Sequence, residues 1–219
     1  MSELESLPTL PFTVDPDVAA RIRVASFLLE PVSGGERPPS LDAELAQLAE
    51  RYRSLWAEPA DAIEALKPAR RLYHAFGIDP SKTRPSSEAL LRRILHGKEL
   101  YRVNAVVDAA NLASLTFLLP VGLYDKEKIR PPITLRAGRE GEGFEGIRKD
   151  RVNVTGRPTL VDQLGPFGNP TSDSLRTSVT ADTRAVWFIL FAPADYAQAT
   201  LDQDLRRAEA ILRRHAGRG

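Results

Sequence analysis

The run Ala185-Val186-Trp187-Phe188-Ile189-Leu190-Phe191-Ala192 constrains this chain more than any other stretch. It has no polar residue and no polar alternation, so it suits a strand buried on both faces. Such a strand needs a layer on each side, and the rest of the sequence must supply them. Ahead of it the pattern is mostly helical. After a first strand over Arg21–Val32, turn chemistry from Ser33-Gly34-Gly35 to Pro38-Pro39 leads to Ser40. Ser40 can cap a helix carrying Leu41, Leu45, Leu48, Tyr52 and Leu55 at helical spacing. A second helical stretch runs from Pro59 to Phe76 and stops at Gly77.

Asp79 to Pro85 reads as a non-helical connector. Ser86 or Ser87 can cap a helix over Glu88–His96, with Gly97 placed for a left-handed C-terminal residue. Asn104–Val107 reads as a short strand. Asp108 then caps a helix that buries Leu112, Leu115 and Leu118 and ends at Pro120. Ile133–Ala137 and Val152–Thr155 are further strand candidates, and a helix from Tyr196 to His215 closes the chain. Helices come first and strands later, which indicates an α+β class. The expected organisation is an irregular lead-in over residues 1–20 and a single domain over 21–216.

Charge and composition exclude several functions. Lys and Arg total 30 against 29 acidic residues, a net charge of +1, which argues against a sequence-independent nucleic-acid coat. Arg206, Arg207, Arg213, Arg214 and Arg218 near the end suit the last turns of a solvated helix. Without cysteine there is no disulfide framework and no thiolate metal site. Three histidines with no paired ligand spacing give no reason to expect a metal, and nothing calls for a cofactor. Residues 1–10 lack a basic, apolar export signal and no apolar run reaches membrane-spanning length, so a cytoplasmic protein is expected.

Several segments, in order, carry a family resemblance. They are Phe76–Lys82, Arg84-Pro85-Ser86-Ser87-Glu88-Ala89-Leu90-Leu91-Arg92-Arg93, Val103–Asn111, Leu119–Asp125 and Ser172–Thr183. Together they resemble free-standing B3/B4 proteins, related to the proofreading module of the phenylalanyl-tRNA synthetase β subunit. The resemblance covers roughly residues 21–192 and rests on the order of the pieces. It implies an α+β domain with helices packed on a mixed or antiparallel sheet system and a central pocket. It also implies tRNA or aminoacyl-tRNA as partner, with an amino acid as ligand, and either ester hydrolysis of mischarged tRNA in trans or non-catalytic binding. In the synthetase a His stands where this chain has Gly122, and its tyrosine-selecting acid falls near Leu175 or Arg176. A site that reads a hydroxyl needs a paired polar group, so these differences leave the amino acid open.

Within that frame the candidate pocket residues are Asn104, Asp108, Asn111, Gly122, Gly168 and Asn169, followed by Ser172, Asp173, Arg176 and Thr177. Asp108 and Asn111 share one face of a helix N-terminus, where they can receive an ammonium or a ribose hydroxyl; Asp108 is equally a helix cap. Asn104 can donate and accept, or serve its own turn. Gly122 can bring backbone close to a ligand, or be an ordinary turn glycine. Gly165–Pro170 reads as a tight loop whose Gly168 and Asn169 N–H groups can meet an oxyanion or phosphate. Arg176 can fork onto a carboxylate or phosphate, or make an ion pair with Asp173 or Asp182. Asp125 reads as a cap. Lys82, Arg84 and Arg92 are the candidate tRNA contacts, against the plainer reading of a solvated connector and helix face. No Gly-x-Ser-x-Gly motif or catalytic cysteine is present.

Overall fold

The computed structural model describes residues 7–147 and 150–217. The start of the lead-in and Arg218 lie outside the described residues. In chain order the elements are β1 (Phe12–Val14), α1 (Pro16–Ala19), β2 (Ile22–Leu29), α2 (Pro39–Leu55) and α3 (Ile63–Ala75). Next come α4 (Ser86–Leu95), α5 (Ala105–Phe117), β3 (Val121–Asp125), β4 (Ile133–Ala137), β5 (Gly143–Glu145) and β6 (Arg151–Asn153). The last are β7 (Pro158–Asp162), β8 (Gly165–Asn169), β9 (Ser172–Asp173), β10 (Val186–Pro193) and α6 (Gln198–Ala216). The fold is α+β, with parallel and antiparallel pairings both present.

The apolar run forms β10, the centre of a three-stranded antiparallel sheet between β2 and β3. Every residue of β10 is buried. Successive side chains on a strand point to opposite faces, and here that alternation divides the core in two. Val186, Phe188, Leu190 and Ala192 join Leu112 and Leu115 of α5 and Leu41 of α2. Trp187, Ile189 and Phe191 join Leu72 and Tyr73 of α3, Tyr124 of β3 and Leu135, Leu160 and Phe167 of the second sheet. That second sheet has the order β1-β4-β7-β8-β9, and β5 pairs with β6.

Several local expectations change. Part of the lead-in read as irregular is ordered: β1 pairs in parallel with β4, and Asp15 caps α1 by accepting from the Asp17 N–H. Asn104 is not the start of a strand. It is the extended N-cap of α5, and its Oδ1 accepts from the Val107 N–H at 2.8 Å, so the helix begins at Ala105. Asp108 therefore lies inside the first turn instead of capping it.

Ser40, Ser86 and Ser87 do not cap either. Pro38 and Pro85 hold those positions, where their fixed φ starts the helix without a side-chain bond. The expected loop Gly165–Pro170 contains strand β8, with β7 on one side and β9 on the other. Gly77 and Gly97 take the left-handed conformation after α3 and α4. His215, given no role from sequence, is buried, its Nδ1 3.3 Å from the Ser40 hydroxyl and its Nε2 3.2 Å from Glu44.

Helices α3 and α4 are joined by a buried carboxylate. Glu88, fully enclosed, accepts Nε and Nη2 of Arg70 at 2.8 and 2.7 Å, and Nε of Arg92 at 2.8 Å. Burial pushes the Glu88 carboxyl up, but the two guanidinium groups outweigh it and hold the carboxyl below its ordinary range. The clamp fixes α4, which supplies Ser86 and Leu90 to a cavity shared with α5 and β3.

Candidate functional site

A cavity of about 300 Å³ opens between α4, α5 and β3. Leu90, Val107, Ala110, Val121, Leu123 and Val179 give it an apolar wall. Ser86, Asn111, Ser114, Asp173 and Ser178 are its polar groups. Tyr101, Val103 and Ile147 complete it and are all substantially exposed. An apolar recess with a few convergent polar groups is the usual form of a small-ligand site, at the small end of the range.

Helical spacing explains the α5 side of this cavity, because Val107, Ala110, Asn111 and Ser114 recur at three- and four-residue intervals. Strand alternation explains the β3 side. Val121 and Leu123 face the cavity, whereas Gly122 and Tyr124 face the other core. Ser86 enters at the first turn of α4, and its buried Oγ meets no hydrogen-bond partner among the described residues. Ser114 and Ser178 are already committed, donating to the carbonyls of Leu119 and Leu175. The Asn111 carboxamide bonds no described residue, which leaves a donor and an acceptor for a ligand.

Of the residues expected in a pocket, Asn111 and Asp173 line this one. The others sit elsewhere. Asn104 is occupied as a cap. Asp108, 1% exposed, accepts from the Val103 N–H at 3.2 Å and pairs with Arg37 at 3.4 Å. Burial is the larger influence on its carboxyl and raises its pKa, against the lowering by Val103 and Arg37. Asp108 thus anchors the chain before α5 to Arg37.

Gly122 and Gly168 leave room for protein, not ligand. A Cβ on either would lie 2.4 or 2.1 Å from the Tyr124 hydroxyl. That hydroxyl is fully buried beside Asp173; burial first, and the carboxylate second, push its pKa well above 10. Asn169 lies at the end of β8, where its Oδ1 accepts the N–H groups of Thr171 and Ser172 at 2.8 and 3.0 Å, so Gly168 and Asn169 form no anion-holding loop. Ser172 is its strand partner in β9.

Arg176 forks onto a carboxylate, but the partner is Asp162 at 2.9 and 3.0 Å, not Asp173 or Asp182. Sequence could not choose among them, because Asp162 reaches it only through the β7–β8 hairpin. Thr177 is enclosed, sharing a hydrogen bond of 2.8 Å with Ser174 while its carbonyl accepts the Asp125 N–H. Asp125 caps the short 3-10 turn Lys126–Lys128, as its sequence context suggests.

Among the tRNA candidates, Arg92 donates to Glu88, whereas Lys82 and Arg84 are exposed. Lys82 lines a different depression, with Asp79 and Arg157. Sequence reading missed the apolar wall and Ser86. The doubled serine that opens α4 carried the signal for Ser86 but also fits a cap, and only the backbone position separates the two.

A sequence model of the B3/4 domain matches residues 68–208, a span that contains every residue lining the cavity. Among solved structures, an N-terminal fragment of the phenylalanyl-tRNA synthetase β subunit from Pyrococcus horikoshii is similar at 17% identity, with a TM-score of 0.49. That match covers 95% of this chain and 50% of the fragment, so the chain spans half the fragment's length. No curated protein matches this chain. No described helix is long and apolar enough to cross a membrane.

Proposed function

The chain belongs to the B3/4 domain family, and on that footing we propose that it hydrolyses mischarged aminoacyl-tRNA in trans, holding the aminoacyl group in the cavity between α4, α5 and β3. The observation that carries this reading is the pairing of an apolar wall with Asn111 and Asp173 in one recess. The wall takes the amino-acid side chain. The Asp173 carboxylate receives the α-ammonium, and the Asn111 carboxamide steadies the ester or the ribose.

Water is the nucleophile in this reading. Ser86 is the exposed-to-cavity hydroxyl without a described partner, and no histidine among the lining residues can serve it as a base. Its role is to orient the water that attacks the ester carbonyl. The attack forms a tetrahedral carbon, and collapse of that species releases the amino acid and the ribose hydroxyl. The experiment is a panel of charged tRNAs incubated with purified protein. Release of amino acid from at least one, above the buffer rate, is expected; no release from any at high protein concentration removes the hydrolytic reading.

The same absence of a histidine from the cavity lining favours a second reading, a module that binds aminoacyl-tRNA or a free amino acid without turnover. It predicts saturable binding of a charged tRNA whose ester survives as long as in buffer.

A further inference from the structure

The segment joining α4 to α5 is a wall between two recesses. Tyr101 and Val103 face the apolar cavity, while Lys98, Leu100 and Arg102 face a larger groove of about 650 Å³ against α2. The wall is pinned along its length. The Lys98 N–H donates to the Arg93 carbonyl at 3.0 Å, Arg93 Nε donates to the Glu99 carbonyl, and Arg102 pairs with Asp42. At the far end the Val103 N–H is held by Asp108, and the Ala105 N–H by the Gly35 carbonyl.

On this fixed wall Tyr101 is 56% exposed, and the Arg93 guanidinium lies 3.9 Å from its ring centroid. A large aromatic left in water at the lip of a cavity, with a cation already on it, is a platform on which a base stacks. Three cations around the wall, Arg53, Arg93 and Lys98, have no carboxylate partner among the described residues. Glu50 and Glu99 also line the groove and Asp42 is taken by Arg37 and Arg102, so the groove is only weakly positive.

Resting on the proposed aminoacyl site, we infer that this wall holds the nucleotide end of the substrate: the Tyr101–Arg93 pair stacks the terminal adenine, and Lys98 meets the phosphodiester that leads away across the wall. The stack supplies more of the affinity than charge does. The proposed contact surface is the α4–α5 connector.

The test uses uncharged acceptor-stem RNA ending in CCA, titrated against the full chain, with the same RNA lacking the terminal adenosine as its pair. Tyr101→Ala is expected to weaken binding of the CCA-ended RNA about tenfold, whereas Tyr101→Trp preserves it. Removing the adenosine brings wild type down to the level of Tyr101→Ala, and leaves that variant unchanged. Lys98→Gln lowers the slope of log affinity against log salt by about 0.7. Equal binding by wild type and Tyr101→Ala, equal binding of the two RNAs, or no RNA binding by wild type overturns the inference. Binding that follows the expected pattern with no deacylation removes only the hydrolytic reading.

Discussion

A Cβ on Gly168 would lie 2.1 Å from the Tyr124 hydroxyl, so the β8 backbone closes directly over that ring. The ring cannot retreat, because Phe167 stands edge-on at 5.0 Å and Trp187 lies 5.9 Å away, all three fully buried. Gly168→Ala therefore forces the β8 backbone away from Tyr124 on β3, at a cost of about 1–3 kcal/mol by the usual scale of overpacking. Urea unfolding of the variant checks it; an unchanged midpoint would mean that the ring moves freely.

The Glu88 clamp makes a prediction of larger size. Glu88→Gln removes the charge that Arg70 and Arg92 share and leaves two guanidinium groups facing a buried amide. Breaking one side of a buried ion pair costs about 3–5 kcal/mol. Chemical denaturation should register a loss of that order, and a loss below about 1 kcal/mol would show that α3 and α4 are held by apolar packing alone.

Glu142 gives the pH dependence. Arg136 forks onto its carboxylate at 2.8 Å on both oxygens and the Arg139 N–H adds a bond of 2.7 Å. The Arg136 pair is the main cause that brings its pKa down to about 2, against the partial burial that raises it. A folded pKa below the unfolded one means the unfolded chain takes up the proton first as pH falls. The stabilisation is complete above the unfolded value of about 4.3 and drains away as pH drops toward 2. The stability difference between wild type and Glu142→Gln should shrink over that window; a difference that grows on acidification would reverse the sign of the argument.

How much of this was legible in the sequence depends on the range of the interactions. The double-faced burial of β10 could be read directly, because a run without polar residues leaves only one arrangement of its side chains. The α5 face could be read too, from Leu112 and Leu115 at helical spacing. Its cap could not, since Asn104 and Asp108 are both good capping residues and the choice depends on where the Arg37 guanidinium lies. Roles set across strands were out of reach: Arg176 finds Asp162, and Gly122 and Gly168 find Tyr124, only once the sheets have formed. The family resemblance overlaps the residues 68–208 that the family model matches, and of the ten residues named for a pocket the cavity gathers Asn111 and Asp173.

Those two residues carry the central claim, and a kinetic comparison tests it most directly. Using a charged tRNA that the wild type deacylates, the account predicts that Asp173→Asn raises KM and lowers kcat, because it loosens the ammonium and misplaces the ester. Asn111→Ala should lower kcat by about 100-fold, because its carboxamide no longer steadies the ester as negative charge develops on its carbonyl oxygen. Both variants should unfold at the wild-type midpoint to within about 1 kcal/mol. Deacylation at the wild-type rate by both folded variants would contradict the account and place the chemistry outside this cavity.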